Sequence, residues 1–384
     1  MSFLKLCIDH FKKSKQAVLY DSIHVLEFDD LFSKDIIEFK KNLGSDRACV
    51  LLLASEPHEF YPGSNVSRQW MEFKDILLKH QIFNCDFFVT RVFFGSSHDG
   101  SIEYLNKNHF DWSFLKFDID LIHIYEIDPI KNNINKLKGN ATELFLDQCH
   151  MKFSHLNFTH RMHRQLFSKF LIRENLVRDN LVAINTNLVD YLDEDEIKNR
   201  ISKDENRLIV RDVKSDWFYN KHLLDLWRDV PLVYHRHPDI DEFNKNGNIN
   251  GQTNLTFLHK ASFNIVSETV FDYPDPFFTE KTAQSLMSKR PFIMIGPCGN
   301  MQHLRDRGFK TFHTIIDESY DKIEDPNKRL EAIMRLVLEI NKKSQKELND
   351  MVYEVKDTLI HNYSLMLEKI MNFTNITESR IIKT

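Results

Sequence analysis

The sequence lacks several features that would assign the chain at once to a class of protein. Its five cysteines are far apart and contain no Cys-x-x-Cys pair, which argues against a disulfide framework or a zinc cluster. A reducing, cytoplasmic setting is expected. The longest apolar run, ACVLLLA, is far shorter than the roughly 18 residues that cross a bilayer. The N-terminus interleaves apolar and charged residues, unlike a signal peptide.

An excess of positive charge is also missing. The formal net charge is -5 and the pI is about 6.4, so the chain has no overall basic field of the kind that a dedicated nucleic-acid coat shows. Local stretches such as HFKKSK and EFKKN remain able to contact phosphates. No repeat of fixed period is visible. With 384 residues, of which 42% are hydrophobic, the chain is long enough for two domains with a core each.

The first part of the chain alternates apolar runs with a helical pattern. The segments RACVLLLA, DFFVTRVFF and FDIDLIHIYEI are predicted strands, because each is a short apolar run that stops at a polar or Gly-containing loop. Residues 65–81 are predicted to be helical. This alternation is typical of an α/β sheet with crossover helices. Polar residues 131–140 are the predicted linker to the rest of the chain.

A second α/β pattern begins after that linker. HRMHRQLFSKFLIRENL has helical spacing, and LVAIN, ASFNIVSET, PFIMIG and TFHTII are predicted strands. From Asn341 onward apolar residues recur at helical spacing, which predicts one long terminal helix packing across the domains. These residues are Leu348, Val352, Val355, Leu359, Met366, Ile370 and Phe373.

The sequence therefore predicts three regions. Residues 1–140 form an α/β domain, residues 141–340 form a second one, and residues 341–384 are helical. Two such domains enclose a cleft at the carboxyl ends of their strands, where ligands of open α/β sheets bind. Polar residues that directly follow strands become the candidates for function.

The segment FFTEK opens a predicted helix with a carboxylate beside an ammonium group. Thr279 is expected to cap that helix, and Glu280 is favourable in the first turn because the macrodipole is positive there. The same position offers N–H groups to a phosphate, with Lys281 adding charge and Glu280 accepting hydrogen bonds from ribose hydroxyls. A structural role and a ligand-binding role are compatible here.

The stretch FNIVSETVF…PFFTEKTAQSLMSKRPFIMIGP resembles the donor-binding segment of fucosyltransferase-like glycosyltransferases of the GT-B fold. That segment has an aromatic-rich strand, a Glu, then Thr-Glu-Lys and a short helix before a Pro and another strand. The stretch LRDRGFKTFHTIIDESYDKIEDPNKRL is similar to the tail of phage-borne and other viral or bacterial members. Together they cover roughly residues 261–330, under a fifth of the chain.

This resemblance implies roles for individual residues. It implies that Glu280 binds the nucleotide ribose, that Lys281 binds the diphosphate and that Glu268 lines the donor pocket. Fucosyltransferases often carry Tyr where this chain has Phe277. The missing hydroxyl leaves the donor nucleotide open, so GDP-fucose is not implied.

Two arginines stand at the start of the helical segment HRMHRQLF. The resembling family places an Arg-containing loop against the diphosphate here, which implies phosphate binding by Arg161 and then by Arg164. Arginine suits that role because its planar fork meets phosphate oxygens in a bidentate manner. A basic helix start with two exposed arginines is the structural alternative. His155, His160 and His163 lack the spacing of a closed zinc site, and no metal is expected there.

The predicted general base is Glu56, which follows the strand CVLLLA in a Ser-Glu-Pro loop. The resembling enzymes have a Glu-containing loop at a similar place in the acceptor domain. Inverting glycosyl transfer needs a carboxylate to take the proton of the acceptor hydroxyl. His58, Glu59 and Asp111 are the competing candidates, and an ordinary strand-end carboxylate is the structural alternative.

The sequence is thus interpreted as a GT-B-like inverting glycosyltransferase that uses a nucleotide-sugar donor and requires no cofactor or metal. Two Asp-x-Asp tripeptides, one of them Asp118 to Asp120, leave a metal-dependent transferase as the second possibility. The acceptor is either a glycan or a hydroxymethylated pyrimidine in phage DNA, which would have to be flipped out of the duplex. A catalytically inactive nucleotide- or carbohydrate-binding protein with the same fold remains the alternative of a different class.

Overall fold

The structure is a computed structural model of the 384-residue chain. It describes the backbone of four N-terminal strands, and then residues 142–157, 161–184, 220–238, 258–273 and 275–381. Side chains are described from residue 142 to residue 369, apart from positions 224, 236 and 280 within those ranges.

Four strands form a first sheet: β1 Ser22–Glu27, β2 Ala48–Ala54, β3 Cys85–Arg91 and β4 Ser113–Lys116. They pair in chain order and are all parallel. Parallel neighbours need a crossover connection of a dozen or more residues, as predicted for this region. The predicted strands RACVLLLA and DFFVTRVFF are confirmed as β2 and β3. The segment FDIDLIHIYEI, with Asp118 and Asp120, lies outside the described residues, as do the helix over 65–81 and the linker.

Five strands form a second sheet: β5 Met151–Asn157, β6 Leu181–Ile184, β7 His235–Arg236, β8 Ala261–Ser267 and β9 Phe292–Ile295. Their spatial order is β7-β6-β5-β8-β9, and all pairs are parallel except the edge pair of β6 and β7. The chain adds β6 on one side of β5 and later adds β8 and β9 on the other side. The direction of strand addition therefore reverses between β5 and β8, which makes this pair the topological switch point of the sheet.

Seven α-helices are present among the described residues: α1 Met162–Arg173, α2 Lys221–Asp229, α3 Glu280–Met287, α4 Asn300–Asp306, α5 Pro326–Lys342, α6 Gln345–Glu354 and α7 Lys356–Ile381. Ser262 contacts Asn349 of α6 and Asn264 contacts Ser285 of α3, whereas His155 packs against Phe167 of α1. Helices thus cover both faces of the second sheet. Strands β6, β8 and β9 are buried throughout, which explains their nearly continuous apolar sequences.

The prediction of a strand at TFHTII is wrong. Residues 311–316 form a turn in which the amides of Ile315 and Ile316 both donate to the carbonyl of Phe312. Phe312 and Ile316 still reach the core, and the amide of Phe312 donates to Glu318. Apolar residues of a compact turn can be buried as completely as those of a strand. A short apolar run in the sequence therefore does not distinguish the two.

The single terminal helix is also corrected. Three helices, α5, α6 and α7, follow one another, and Ser344 caps α6 through a capping box with Glu347. The predicted apolar face is confirmed as far as side chains are described, because Leu348, Val352 and Val355 are buried, as are Leu359 and Met366. Helix α7 packs on α3. Packing across to the first sheet stays a prediction.

The fold is therefore a mixed α/β fold with parallel sheets and helices, as predicted at that level. The two-domain GT-B arrangement and the domain boundaries remain predictions. Among the helices of the described residues, none combines the length and the apolar character that crossing a bilayer requires.

Candidate functional site

The predicted donor residues lie at the carboxyl ends of the two central strands. Arg161 and α1 follow β5, whereas Glu268 directly follows β8 and leads to Thr279 at the start of α3. Because β5 and β8 are parallel neighbours, their carboxyl ends meet at one edge of the sheet. Segments that are more than 100 residues apart in sequence therefore converge at the switch point.

The carboxylate of Glu268 is fully buried and is held by the beginning of α3. One oxygen accepts from the Thr279 amide at 3.1 Å and the other accepts from the Thr279 hydroxyl at 2.5 Å. The Thr282 hydroxyl donates to the same carboxylate. An anion at a helix N-terminus is stabilised by the helix dipole and by the N–H groups that have no partner within the helix. Glu268 therefore serves as an internal anion that fixes α3 to the end of β8.

Thr279 is the N-cap of α3, as predicted. Its backbone is extended, and its hydroxyl accepts from the Lys281 amide at 3.4 Å. The Lys281 ammonium also lies 3.2 Å from that hydroxyl. Two amides at this helix end, those of Thr279 and Lys281, are thus bound within the protein. Glu280 occupies the first helical position, and its side chain lies outside the described atoms.

Arg164 and His163 attach α1 to the same end of β8. The Arg164 guanidinium donates from Nε to the Glu268 carbonyl at 3.2 Å and from Nη2 to the Ser267 carbonyl at 2.9 Å. His163 Nε2 is 3.0 Å from the Glu268 carbonyl, and a carbonyl only accepts, so Nε2 carries the proton. The His163 ring also stacks on Phe271. Both side chains are buried, so the structural alternative of an exposed arginine does not hold at position 164.

Arg161 differs from Arg164 in its position on α1. It is the N-cap residue of this helix, with φ -139° and ψ 144°, and its side chain makes no capping hydrogen bond. The first turn of α1 contains no acidic residue. Arg161 is buried. The start of α1 thus combines a positive helix end with a guanidinium group, whereas the start of α3 already holds a carboxylate.

Phe277, which stands where the resembling family often has Tyr, is fully buried. Its amide donates to Asn300 Oδ1 at 3.0 Å, and its carbonyl accepts from Asn300 Nδ2 at 3.1 Å. Asn300 begins α4 and lies so close to Gly296 that a Cβ there would be 2.6 Å from Asn300 Nδ2. The segment before Thr279 is therefore fixed to the end of β9.

The DESYD segment, residues 317–321, packs against β9 and the start of α4 next to the site. The Asp321 carboxylate accepts from the amides of Met301 and Gln302 at the start of α4, and burial raises the pKa of this carboxyl. Glu318 accepts from the Phe312 amide and pairs with Arg305 at 3.0 Å. The hydroxyl of Tyr320 accepts from the Met294 amide of β9. These contacts assign the segment a structural role.

Histidines near the site are arranged for packing rather than for metal binding. His155 is fully buried on β5, and burial lowers its pKa to about 3, so the ring is neutral at physiological pH. His160 lies outside the described residues. No group of three His, Cys, Asp or Glu side chains among the described residues is close enough together to hold a metal ion.

Several site features were not predicted from the sequence. Thr282 helps to hold Glu268, and its position three residues after the Thr279 cap was the available signal. Asn157 and Ser267, at the last positions of β5 and β8, carried no motif. The predicted base Glu56 follows the carboxyl end of β2 but lies outside the described residues, together with His58, Glu59 and Asp111.

The chain has no detectable similarity to known protein families and a weak similarity to a solved structure. Neither a protein-family model nor a curated protein matches the chain. Among solved structures, it is similar to the crystal structure of the DNA modifying enzyme beta-glucosyltransferase in the presence and absence of the substrate uridine diphosphoglucose. The identity is 10%, the match covers 89% of this chain and 84% of that chain, and the TM-score is 0.25. A TM-score this low does not establish a common fold, so the match carries no argument about function.

Proposed function

We propose that the protein is a glycosyltransferase that binds a nucleotide-sugar donor at the carboxyl edge of β5 and β8. The observation that carries this proposal is the convergence of Arg161, Glu268 and the Thr279–Lys281 turn at the switch point of a parallel sheet. Ligands of open α/β sheets bind at this place, because loops diverge there and helix N-termini point toward it.

The electrostatics of this edge favour the diphosphate part of such a donor. Two helices, α1 and α3, begin here, and Arg161 and Lys281 contribute positive charge at their first turns. Since the Glu268 carboxylate already occupies the start of α3, a diphosphate is better stabilised at the start of α1. This changes the roles that the resemblance implies. Arg161 is the main contact of the diphosphate, whereas Lys281 offsets the charge of Glu268 and contacts the diphosphate oxygens that Arg161 does not bind.

Glu268 and Arg164 position the site in this proposal. Their hydrogen bonds join α1, β8 and α3 into one connected unit. Such a unit holds N–H groups and positive charges in place before the ligand binds. Hydrogen-bond donors that are preorganised in this way stabilise the charge that develops on a leaving group. Glu280 remains the proposed ligand of the ribose hydroxyls.

The proposed reaction is an inverting transfer without a required metal. An acceptor hydroxyl attacks the anomeric carbon, the bond from that carbon to the diphosphate oxygen breaks, and the leaving nucleoside diphosphate keeps the electron pair. The proton of the hydroxyl passes to a carboxylate base, for which Glu56 is the proposed residue. The first sheet, whose strand β2 precedes Glu56, would hold the acceptor.

The donor can be identified by thermal unfolding with UDP-, GDP-, CMP- and dTDP-sugars. A ligand that binds only the native state stabilises by about 2.7 kcal/mol when its concentration is a hundred times its dissociation constant. We expect one nucleotide class to raise the Tm and the others to have no effect. If no nucleotide sugar raises the Tm, the proposal is wrong.

Variants of the arginine then test the site itself. Arg161→Ala is expected to weaken binding of the stabilising nucleotide sugar at least tenfold, and Arg161→Lys to weaken it less, because lysine keeps the charge but loses the bidentate fork. Arg335→Ala is the matched control, since Arg335 is an exposed arginine on α5. Equal affinity of the Arg161→Ala and Arg335→Ala variants would place the diphosphate elsewhere.

Two further questions concern the acceptor and the activity. A hydroxymethylated pyrimidine in DNA is the second proposed acceptor, and binding of such DNA should weaken steeply with salt because counterions are released. Binding that is indifferent to salt would favour a glycan. An inactive binding protein would bind the nucleotide sugar but release no nucleoside diphosphate in the presence of either acceptor.

A further inference from the structure

Two buried polar atoms at the carboxyl edge of the sheet have no hydrogen-bond partner among the described residues. They are Oδ1 of Asn157, the last residue of β5, and Oγ of Ser267, the last residue of β8. The two residues are only 1% and 3% exposed. A buried polar group without a partner costs about 1–3 kcal/mol, so the fold retains these atoms at a loss of stability.

The two residues stand side by side. His155 is the register partner of Ile265, and continuing this register by two positions places Asn157 next to Ser267 on the same face. Paired strands are about 4.8 Å apart. Arg164 of α1 contacts both residues: its carbonyl accepts from Asn157 Nδ2, and its guanidinium donates to the Ser267 carbonyl. Since the Arg164 carbonyl can only accept, the remaining atom of the amide is the acceptor Oδ1.

The other serine and asparagine side chains on these two strands are paired, whereas both ring nitrogens of His155 on β5 are also without a partner among the described residues. The Ser154 hydroxyl donates to Asn264 Oδ1 at 2.6 Å, and Asn264 Nδ2 donates to Ser288 Oγ at 3.0 Å. Those residues lie in the middle of the sheet, far from its carboxyl edge. The unsatisfied oxygens of Asn157 and Ser267 are thus found at the end of the strands where the donor is proposed to bind.

We propose that Asn157 and Ser267 together bind a neutral hydroxyl group of the nucleotide-sugar donor. The inference rests on the proposed function and extends it to two residues that had no assigned role. Asn157 Oδ1 requires a donor, and Ser267 Oγ can donate or accept, so a hydroxyl group completes both. A phosphate oxygen does not fit, because it carries no proton to offer Oδ1 at neutral pH. The hydroxyl belongs either to the ribose or to the transferred sugar.

Two serine variants separate this role from a structural one. Ser267→Ala removes the unsatisfied hydroxyl, and Ser154→Ala is the matched control, a buried serine on the adjacent strand whose hydroxyl has a partner. Without ligand, Ser267→Ala should keep or raise the Tm, whereas Ser154→Ala should lower it by leaving Asn264 unsatisfied. With the stabilising nucleotide sugar, Ser267→Ala should weaken binding about tenfold and Ser154→Ala should leave it unchanged.

Titration with UDP-glucose and with UDP, or with the corresponding pair for the nucleotide found, locates the hydroxyl group. An equal loss of affinity for both in Ser267→Ala assigns it to the ribose, and a loss for the nucleotide sugar alone assigns it to the transferred sugar. If Ser267→Ala lowers the Tm and binds the donor as tightly as the wild type, a buried water completes the pair and this inference is overturned. If the wild type binds no nucleotide sugar, the proposed function fails first.

Discussion

The two edges of the β5–β8 pair are each held by a buried arginine, but they use it differently. At the amino edge, Arg290 donates to the carbonyls of Ala261, Leu144, Phe145 and His259, and the residue is fully buried. At the carboxyl edge, Arg164 donates to two consecutive carbonyls, those of Ser267 and Glu268 at the end of β8. Beside Arg164 lie the unsatisfied oxygens of Asn157 and Ser267.

This difference shows that a buried arginine is not by itself a sign of a ligand site. Arg290 donates to carbonyls at the start of β8 and in the segments that precede β5 and β8, which is a structural task. The carboxyl edge has in addition two helix N-termini and polar atoms that await a partner. The two edges therefore differ in the described atoms that have no partner: two oxygens at the carboxyl edge and, at the amino edge, Nε2 of the buried His259 ring, which stacks on Phe145.

Removal of the Arg290 clamp should produce the largest effect. Arg290→Met leaves five backbone carbonyls, the four at the amino edge and that of Lys289, without their charged donor, and hydrogen bonds to charged groups contribute about 1.5–3 kcal/mol each. We expect a loss of at least about 3 kcal/mol in the free energy of unfolding, measured by urea denaturation. A loss below about 1 kcal/mol would contradict the proposed difference between the edges.

The amino edge should also respond to acid. His259 stacks on Phe145 with ring centroids 4.7 Å apart, and burial, helped by Arg290 and Lys289, lowers its pKa to about 3. Between about pH 6.5 and pH 3 the unfolded chain takes up a proton that native His259 does not, so stability falls as the pH falls. From pH 7 to pH 5 this amounts to about 2 kcal/mol for one histidine.

His259→Phe keeps the ring stack and removes this titration. The variant should therefore lose about 2 kcal/mol less than the wild type between pH 7 and pH 5, as measured by urea denaturation at both pH values. His155, whose pKa is also about 3, still titrates in both proteins. An identical pH dependence of the two proteins would show that burial does not keep His259 neutral in the native protein.

Glu268→Gln tests how much the internal anion stabilises α3. The amide keeps the shape of the side chain but removes the charge at the helix N-terminus and one of two accepting oxygens. We expect a loss of about 1–2 kcal/mol in the free energy of unfolding, together with weaker donor binding, measured by thermal unfolding with and without ligand. Unchanged stability would mean that the charge of Glu268 does not stabilise the start of α3.

Lys281→Ala should change stability least and donor binding substantially. Lys281 is only partly buried, so the expected effect on unfolding is within about 0.5 kcal/mol. Donor affinity should fall about tenfold, as measured by calorimetric titration. Lys346→Ala is the matched control, because Lys346 holds the same second position in α6 as Lys281 holds in α3. A similar loss in both variants would exclude a specific role for Lys281.

Much of the second α/β region was predictable from the sequence. Short apolar runs that stop at polar turns predicted β5's neighbours β6 and β8 as well as β9, and the residue before Glu280 predicted the cap of α3. These features depend on local sequence. The turn at 311–316 has the apolar content of a strand, because its burial comes from the packing of Phe312 and Ile316 and not from a strand's alternation.

The sequence by itself determined the α/β class, the positions of most described strands and the cap of α3, because these depend on the period of apolar residues and on side chains that bond their neighbours. Only the tertiary structure decided what each polar residue does. Arg161 and Arg164 are three residues apart, yet Arg164 binds the carbonyls at the end of β8 while Arg161 stands at the start of α1. Asn157 and Ser267 are neighbours because β5 and β8 are paired, although the two residues are 110 positions apart in sequence. No local sequence pattern shows that two such distant strands are paired.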